Sequence, residues 1–203
     1  MNTTLVLDGV QKRRGEDIFA PVSCTLSPGE GLGVFGYNGS GKTTLLDIIA
    51  GIERPTAGKL SVNGSIGYVM QHSGFQESLS FKDNLMTEAY LCGLRGDEAK
   101  QQVHLVADRL EMLPFWTKRY AKGSSGMRGR LSVAAALLSS PQILLLDEAF
   151  NYLDERSTKQ AHKVLLAEKE RGATLVMVSH NREDFVGLCE TVLTLPDAGI
   201  AAL

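Results

Sequence analysis

The sequence predicts an α/β fold with a mainly parallel sheet, an antiparallel β flap and an inserted α-helical subdomain. The periodicity of hydrophobic residues changes along the 203-residue chain. Short strand-like runs separated by turn residues occupy residues 3–35, helical periodicity dominates residues 72–140, and strands alternate with helices from residue 143 to residue 195. Alternating strands and helices are typical of a parallel sheet, whereas short strands joined by tight turns favour antiparallel pairing.

The first part of the chain contains apolar, β-branched runs bounded by turn residues such as Pro28-Gly29 and Pro55-Thr56. These runs predict strands at residues 5–7, 22–26, 32–35, 60–62 and 66–70. Asn63-Gly64 separates the last two strands, and this dipeptide signals either a hairpin or a connection between strands. We expect the early strands to form an antiparallel flap.

Helical spacing of apolar residues predicts a group of helices in the middle of the chain. Ser80 is the expected N-cap of the first helix, which Gly93 ends. The second covers residues 97–112, where apolar residues follow one face. The third covers residues 125–140, and Pro141 stops it.

Strands and helices alternate after Pro141. The predicted elements are a strand at residues 143–147, a helix at 155–171, a strand at 174–179, a helix at 182–189 and a strand at 191–195. We expect a single domain over residues 1–203, with 1–71 and 141–203 as the α/β core and 72–140 as the helical subdomain.

Composition and charge limit the kinds of partner and environment that the sequence fits. The net charge is −2, from 21 Lys and Arg against 23 Asp and Glu, so we expect no nucleic-acid partner. No apolar run approaches the roughly 20 residues of a membrane-spanning helix, and no segment resembles a signal peptide. The 3 cysteines lack C-x-x-C spacing, which argues against a zinc site or a disulfide framework. These features favour a cytoplasmic protein.

The segment after the strand predicted at residues 32–35 carries a phosphate-loop motif. Residues 36–43 read G-Y-N-G-S-G-K-T, which matches G-x-x-x-x-G-K-[ST], and a helix is predicted at residues 42–50. Glycines let backbone N–H groups face a polyphosphate, the Lys42 ammonium neutralises the β and γ phosphates, and the Thr43 hydroxyl suits Mg²⁺. The motif predicts a nucleoside triphosphate site formed by Gly36, Tyr37, Asn38, Gly39, Ser40, Gly41, Lys42, Thr43 and Thr44.

The strand predicted at residues 143–147 ends in a pair of carboxylates, Asp147 and Glu148. The tip of a buried strand can hold a rigid acid towards a neighbouring phosphate loop. We expect Asp147 to hold Mg²⁺ from its second coordination sphere and Glu148 to polarise an attacking water. Capping of the following turn is the alternative role for these acids.

From about residue 5 to residue 195, the order of these motifs resembles the ATP-binding cassette (ABC) family. Gln71 is similar to the glutamine of the family's glutamine loop, which contacts Mg²⁺ and water. Gly123-Ser124-Ser125-Gly126-Met127 resembles the signature Leu-Ser-Gly-Gly-Gln. Asp154 is similar to an aspartate that faces the dimer interface, and His180 resembles the switch histidine that contacts the γ phosphate.

The resemblance implies a P-loop NTPase core of the RecA-like type that binds ATP and Mg²⁺ and hydrolyses ATP. Two chains are expected to complete each site, as a head-to-tail homodimer or as a dimer with a paralogous ATPase subunit. The implied catalytic residues are Lys42, Gln71, Glu148 and His180, the residues for Mg²⁺ are Thr43, Gln71 and Asp147, and the contacts to the second chain's ATP are Ser124, Gly126 and Asp154.

The chain departs from the family pattern in two places. Gly123-Ser124-Ser125 replaces Leu-Ser-Gly, which removes an apolar anchor and a glycine from the signature. Lys12-Arg13-Arg14-Gly15 stands where the family commonly places an aromatic residue against adenine. A guanidinium can stack on a purine, so Arg14 is a candidate adenine contact, and a solvated basic turn is the alternative. Because Lys42, Asp147, Glu148 and His180 are retained, we expect a competent ATPase.

The resemblance favours the ATP-binding subunit of a transporter whose permease is a separate membrane chain, with this subunit peripheral on the inner face of the membrane. Gly126-Met127-Arg128 and the lack of an added C-terminal regulatory domain favour export. Residues that follow Gln71 are candidates for a groove that holds a permease helix, with core packing as the alternative; they are Phe75, Leu79, Phe81, Leu85 and Tyr90. A soluble ABC ATPase that moves a protein partner in assembly, translation or DNA maintenance is the second hypothesis, and a small-molecule kinase is the third.

Overall fold

A computed structural model of the protein describes residues 3–70, 74–151 and 153–203. In chain order the elements are β1 (Leu5–Arg14), β2 (Glu16–Leu26), β3 (Gly31–Phe35), α1 (Lys42–Ile49), β4 (Ala57–Val62), β5 (Ile66–Val69), α2 (Phe81–Leu91), α3 (Gly96–Arg109), α4 (Ser125–Leu137), β6 (Ile143–Asp147), α5 (Glu155–Glu170), β7 (Thr174–Ser179), β8 (Thr191–Thr194) and β9 (Gly199–Ala202).

The central layer is a 6-stranded sheet in the order β5-β6-β7-β3-β8-β9. The strands from β5 to β8 are parallel, and β9 pairs antiparallel with β8 at the edge. Every residue of β6 and β7 is buried, which is expected of parallel strands covered on both faces. The phosphate loop, residues 36–43, leaves the sheet at the end of β3 and leads into α1.

A smaller, antiparallel sheet in the order β2-β1-β4 forms the β flap. Gly15, with φ +83°, makes the tight turn between β1 and β2, where Arg14 pairs with Glu16. The structure therefore confirms the predicted fold class, with a mainly parallel sheet, an antiparallel flap and helices inserted between β5 and β6.

Alternate residues of the central strands pack into separate cores. Leu145 of β6 and Val176 of β7 face α1 and the β flap. Leu146 and Met177, the next residues along these strands, face α2 to α5. Side chains of a strand alternate between its faces, so the same consecutive apolar run supplies both cores and fixes the register of the sheet.

The helices α2, α3 and α4 pack on one another and share their hydrophobic core with one face of the central sheet. Ser80 caps α2 as expected, because its hydroxyl accepts a hydrogen bond from the N–H of Asp83 at 3.0 Å. The ring of Phe81 lies edge-on to Phe115, with 5.0 Å between the ring centroids. No helix within the described residues is both long enough and apolar enough to cross a membrane.

The structure differs from the sequence predictions near the C-terminus. The predicted helix at residues 182–189 is wrong, since only a short 3₁₀ helix forms at Arg182–Phe185. Val186 is extended, at φ −58° and ψ 125°, and Gly187 adopts a left-handed φ of +76°, so the helix cannot continue. The edge strand β9 is not predicted, because its exposed residues lack alternation of polar and apolar side chains.

Asn63-Gly64 connects β4 and β5, which belong to different sheets, so this dipeptide closes no hairpin.

Replacing Gly67 of β5 by alanine should destabilise the protein by about 1–3 kcal/mol, because the new methyl group overpacks the contact with α4. A Cβ at this position would lie 2.2 Å from the carbonyl oxygen of Ala136 and 2.8 Å from Cγ of Pro141. Chemical denaturation measures the change. Gly74→Ala is the control, since no described atom lies within 4 Å of a Cβ built there. Equal stability of both variants would contradict the tight packing of β5 on α4.

Candidate functional site

The phosphate loop has a conformation that requires glycine. Gly39 and Gly41 adopt left-handed φ angles of +89° and +93°, which L side chains rarely adopt. At Gly36, an added Cβ would lie 2.4 Å from Oγ of Ser40 and 2.7 Å from the carbonyl oxygen of Leu195. The loop is therefore held against the end of β8 by a contact that leaves no room for a side chain.

The Lys42 side chain folds back over the loop that precedes it. Its ammonium donates hydrogen bonds to the carbonyl oxygens of Gly36, at 2.9 Å, and Tyr37, at 3.0 Å. Only 6% of Lys42 is exposed, although it is a cationic residue. The positive charge of Lys42 thus stays close to the backbone of the loop, where the motif predicts that a polyphosphate binds.

The first turn of α1 is joined to the end of β6. The Thr43 hydroxyl donates to Oδ2 of Asp147 at 2.8 Å. Asp147 is 3% exposed, and within the described part of the chain its Oδ1 atom is buried without a hydrogen-bond partner. Burial raises the pKa of Asp147 above its usual range, and the bond from Thr43 partly offsets this effect. A hydroxyl and a carboxylate with an unused, buried oxygen are ligands that fit Mg²⁺.

Glu148 follows Asp147 with an unusual backbone conformation. Its φ is +50°, and its N–H donates to the carbonyl oxygen of Val178 on β7 at 3.1 Å. The Asn151 amide donates to Oε2 of Glu148 at 2.6 Å. A left-handed conformation in a residue other than glycine stores strain and is frequent at functional sites.

A cleft of about 460 Å³ lies over the phosphate loop. It is lined by Arg14, Ile18, Asn38, Gly39, Gly41, Lys42, Thr43, Thr44 and Glu148. The structure therefore brings the β flap, the predicted triphosphate loop and the predicted catalytic acid Glu148 to a single cavity. Tyr37 belongs to the loop but projects outward, with 66% of its surface exposed.

Arg14 lines this cleft and is also an ion-pair partner. Its guanidinium donates to both carboxylate oxygens of Glu53, each at 2.9 Å. Lys12 contacts the same carboxylate at 2.8 Å, and these two cations lower the pKa of Glu53. Glu53 thus holds Arg14 beside the cleft through an ion pair. The sequence predicted the basic turn but not Glu53, the acidic residue that pairs with it.

His180 lies at the same edge of the sheet as Glu148, one strand further along. It follows β7, whose residue Val178 is the register partner of Asp147. Its side chain is exposed and is not among the described residues that line the cleft. The preceding Ser179 hydroxyl donates to Asp184 at 2.5 Å, which fixes the turn after β7. Gln71 lies outside the described residues.

The predicted signature forms the N-terminus of α4. The Ser124 hydroxyl accepts a hydrogen bond from the N–H of Met127 at 3.3 Å and caps the helix. Asp154 caps α5 by accepting from the N–H of Ser157 at 2.8 Å, and this bond lowers the pKa of Asp154. A Cβ on Gly126 would lie 2.7 Å from Oδ2 of Asp154. The structure therefore brings Ser124, Gly126 and Asp154 together, with Ser124 and Asp154 exposed at the surface and Gly126 buried beside them.

This signature surface, defined by Ser124, Gly126 and Asp154, is separate from the cleft over the phosphate loop. The described residues that line the cleft belong to β1, β2, the phosphate loop, the start of α1 and the end of β6. None of them comes from α4 or α5. The sequence motifs thus form two groups in the folded chain, one around the phosphate loop and one at the signature surface. No described residue of the second group lines the cleft of its own chain.

Two further polar residues join this region and were missed by the sequence analysis. The Tyr68 hydroxyl donates to Oδ1 of Asp47 at 3.1 Å. Asp47 is four residues after Thr43 on α1, a spacing that places both side chains on one face of a helix. The spacing from Thr43 could therefore have identified Asp47 from the sequence. The contact with Tyr68 could not be predicted in this way, because it depends on the order of the strands in the sheet.

The sequence is similar to that of known proteins over most of its length. The family model described as "ABC transporter" matches residues 19–151. The "Uncharacterized ABC transporter ATP-binding protein YybJ" of Bacillus subtilis is 31% identical over 94% of this chain and 91% of that protein. The "Teichoic acids export ATP-binding protein TagH" of Enterococcus faecalis is 32% identical over 84% of this chain, which spans only 38% of that protein. For the "O-antigen export system ATP-binding protein RfbB" of Klebsiella pneumoniae the identity is 30%, over 85% of this chain and 70% of that protein.

Solved structures show the same fold. One described as the structure of an ATP-binding subunit of an ABC transporter has a TM-score of 0.87 at 21% identity and covers 99% of this chain and 90% of its own. A dimeric, post-hydrolysis ATP-binding cassette bound to ADP and Pi also has a TM-score of 0.87, at 23% identity over 98% of this chain and 99% of its own. Together with the family match and the similarity to YybJ over nearly the whole chain, these findings place the protein in the ABC transporter family, among its ATP-binding proteins.

Proposed function

We propose that the protein is the ATP-binding and ATP-hydrolysing subunit of an ABC transporter, in which ATP-driven dimer closure powers transport through a separate permease. The observation that carries this proposal is the cleft in which Lys42, Thr43 and Glu148 meet. Phosphoryl transfer to water depends on positioning and on charge stabilisation, and this cleft places a cation, a hydroxyl and a carboxylate around one space.

ATP would lie over the phosphate loop, with its phosphates facing the loop N–H groups, the N-terminus of α1 and the Lys42 ammonium. Lys42 already donates to backbone oxygens of the loop, so its charge is held close to where the β and γ phosphates belong. Arg14, oriented by Glu53, is at the mouth of the same cleft and suits the adenine ring.

Mg²⁺ would be held by Thr43 and Asp147, with Gln71 as the third expected group. The unpartnered, buried Oδ1 of Asp147 supports this assignment, because a buried carboxylate oxygen without a partner is costly. Mg²⁺ supplies charge neutralisation of the phosphates when it is bound. Binding of a cation would also favour the ionised form of Asp147, against the effect of burial.

Glu148 is the expected catalytic carboxylate that orients the attacking water. Its left-handed backbone and the hydrogen bond from Asn151 hold the side chain at the cleft. His180, at the end of the neighbouring strand, is the expected contact to the γ phosphate. Glu148 and His180 each directly follow one of two adjacent, fully buried strands, β6 and β7, an arrangement that suits a fixed spacing between them.

A second chain would complete the site by a head-to-tail arrangement, either as a homodimer or with a paralogous subunit. The signature surface has helix N-terminal donors and the Ser124 hydroxyl, which suit a γ phosphate. None of its residues lines the described cleft of its own chain. The γ phosphate would then bridge Lys42 of one chain and Ser124 of the other, so that hydrolysis reopens the dimer.

A permease helix would dock beside α2 and α4. A groove of about 160 Å³ there is lined by Tyr68, Met70, Gly74, Phe75, Glu88, Ser132 and Ala135. Of the residues proposed for it from the sequence, Phe75 lines the groove, whereas Phe81 and Leu85 are fully buried and belong to the core. The relatives named for teichoic acid and O-antigen export favour an exporter over a soluble ABC ATPase that moves a protein partner. Such a subunit is cytoplasmic and peripheral on the membrane through its permease.

Glu148→Gln should lower ATP turnover by about 100-fold or more while leaving ATP binding intact, because the amide keeps the size of the side chain but orients water poorly. Phosphate release by the purified chain measures turnover, and a fluorescent ATP analogue measures binding. Glu155→Gln is the matched control, since Glu155 is an exposed residue of α5 paired with Lys159. Equal turnover by the wild type and Glu148→Gln would refute the assignment of Glu148.

Ser124→Ala should weaken ATP-induced dimerisation by about tenfold in the Glu148→Gln background, because a hydroxyl contact to the second chain's γ phosphate is lost. Analytical ultracentrifugation with and without ATP measures the dimer. Ser80→Ala is the matched control, because Ser80 caps α2 in the same way as Ser124 caps α4. Both variants lose about 1 kcal/mol of capping energy. An equal loss of dimer in both would show that capping alone explains the effect.

A further inference from the structure

Tyr68 connects the groove beside α2 and α4 with the helix that follows the phosphate loop. Tyr68 is one of the residues that line the groove, together with Met70 and Phe75. It also packs against the core shared by α1 and the β flap, and its hydroxyl donates to Oδ1 of Asp47 on α1 at 3.1 Å. Burial, followed by the charges of Asp147 and Asp47, raises the pKa of Tyr68, so the phenol keeps the proton that it donates.

Among the described residues, the bond from Tyr68 is one of two side-chain hydrogen bonds that join this face of α1 to the strands β5 and β6. Thr43 donates to Asp147 at the end of β6, and one turn later Asp47 accepts from Tyr68. The strands concerned are neighbours, since Tyr68 is the register partner of Leu145, two residues before Asp147. Residues four apart lie on one face of a helix. Tyr68 therefore contributes, together with the buried apolar residues of α1, to the rotation of this helix about its axis, on which the position of the Thr43 hydroxyl depends.

We propose that Tyr68 is a positioning residue for the metal side of the nucleotide site, acting through Asp47 and α1. The inference rests on the proposed function, in which Thr43 and Asp147 hold Mg²⁺. The hydroxyl of Tyr68 donates to Asp47, on the helical face that carries Thr43, whereas the Lys42 ammonium is held by carbonyl oxygens of the loop, so we expect the larger effect on the metal contact. Because Tyr68 also lines the groove, an occupant of the groove contacts the residue that orients this side of the site.

Tyr68→Phe tests the proposal by removing a single oxygen atom from a half-buried ring. In the Glu148→Gln background, which prevents turnover, the affinity for Mn²⁺ in the presence of ATP should fall about fivefold. Electron paramagnetic resonance titration of Mn²⁺ measures this affinity. Binding of a fluorescent ATP analogue in EDTA should stay unchanged, because the phosphate contacts of Lys42 and the loop are intact.

Asp47→Asn should reproduce the loss, since an amide is a weaker acceptor than a carboxylate for the tyrosine hydroxyl. The double variant should lose no more than the larger single effect, because both changes break the same contact. Asp108→Asn is the matched control, as Asp108 is exposed on α3. Thermal melting checks that each variant is folded.

The proposal is overturned by any one of three results: changes below about twofold for both single variants, additive losses in the double variant, or an equal loss of metal-free ATP binding. A parent chain that binds no ATP at all contradicts the proposed function, and this inference with it. A different result refutes only the role of Tyr68. In that case the wild type hydrolyses ATP and Glu148→Gln does not, but Tyr68→Phe has the same affinity for Mn²⁺ as its parent.

Discussion

The hydrogen bond from Thr43 to Asp147 joins the two halves of the candidate site within one chain. Thr43 begins α1 directly after the phosphate loop, whereas Asp147 ends a strand more than 100 residues later, and their side-chain oxygens lie 2.8 Å apart. The bond is possible because β6 and β3 both flank β7 in the parallel sheet, so that their carboxyl ends meet at one edge. A slip of one residue in β6 would turn Asp147 to the other face of the sheet and separate the pair.

That register is held by the two cores. Leu145 packs against α1 and the β flap, and Leu146 packs against the helices of the other layer, so a shift of β6 would exchange large side chains between well-packed interiors. The interior resists such exchanges, because protein cores are packed as densely as organic crystals. The stability of the sheet and the geometry of the site therefore have the same origin.

Sequence patterns predicted the parts of the protein in which local chemistry determines structure. The glycines of the phosphate loop, the cap at Ser80 and the apolar run of β6 could be identified because each depends on neighbours in the chain. The ion pair of Arg14 with Glu53 and the bond of Tyr68 with Asp47 could not, since both join residues brought together by strand order. The short 3₁₀ helix at Arg182–Phe185 was mispredicted as a longer helix because Gly187 adopts a left-handed φ.

The signature surface shows how a departure from the family pattern can be tolerated. A Cβ on Gly126 would lie 2.7 Å from Oδ2 of Asp154 and would displace that side chain, whereas Ser125 replaces the other glycine at an exposed position in the first turn of α4. This contact brings the N-terminus of α4, with Ser124, close to the N-terminus of α5, with Asp154. A second chain that met Ser124 would therefore also meet Asp154. Gly123 has a different neighbour, because a Cβ there would lie 2.5 Å from the ring of Phe81, so the loss of the apolar anchor at Gly123 leaves the contact between Gly126 and Asp154 in place.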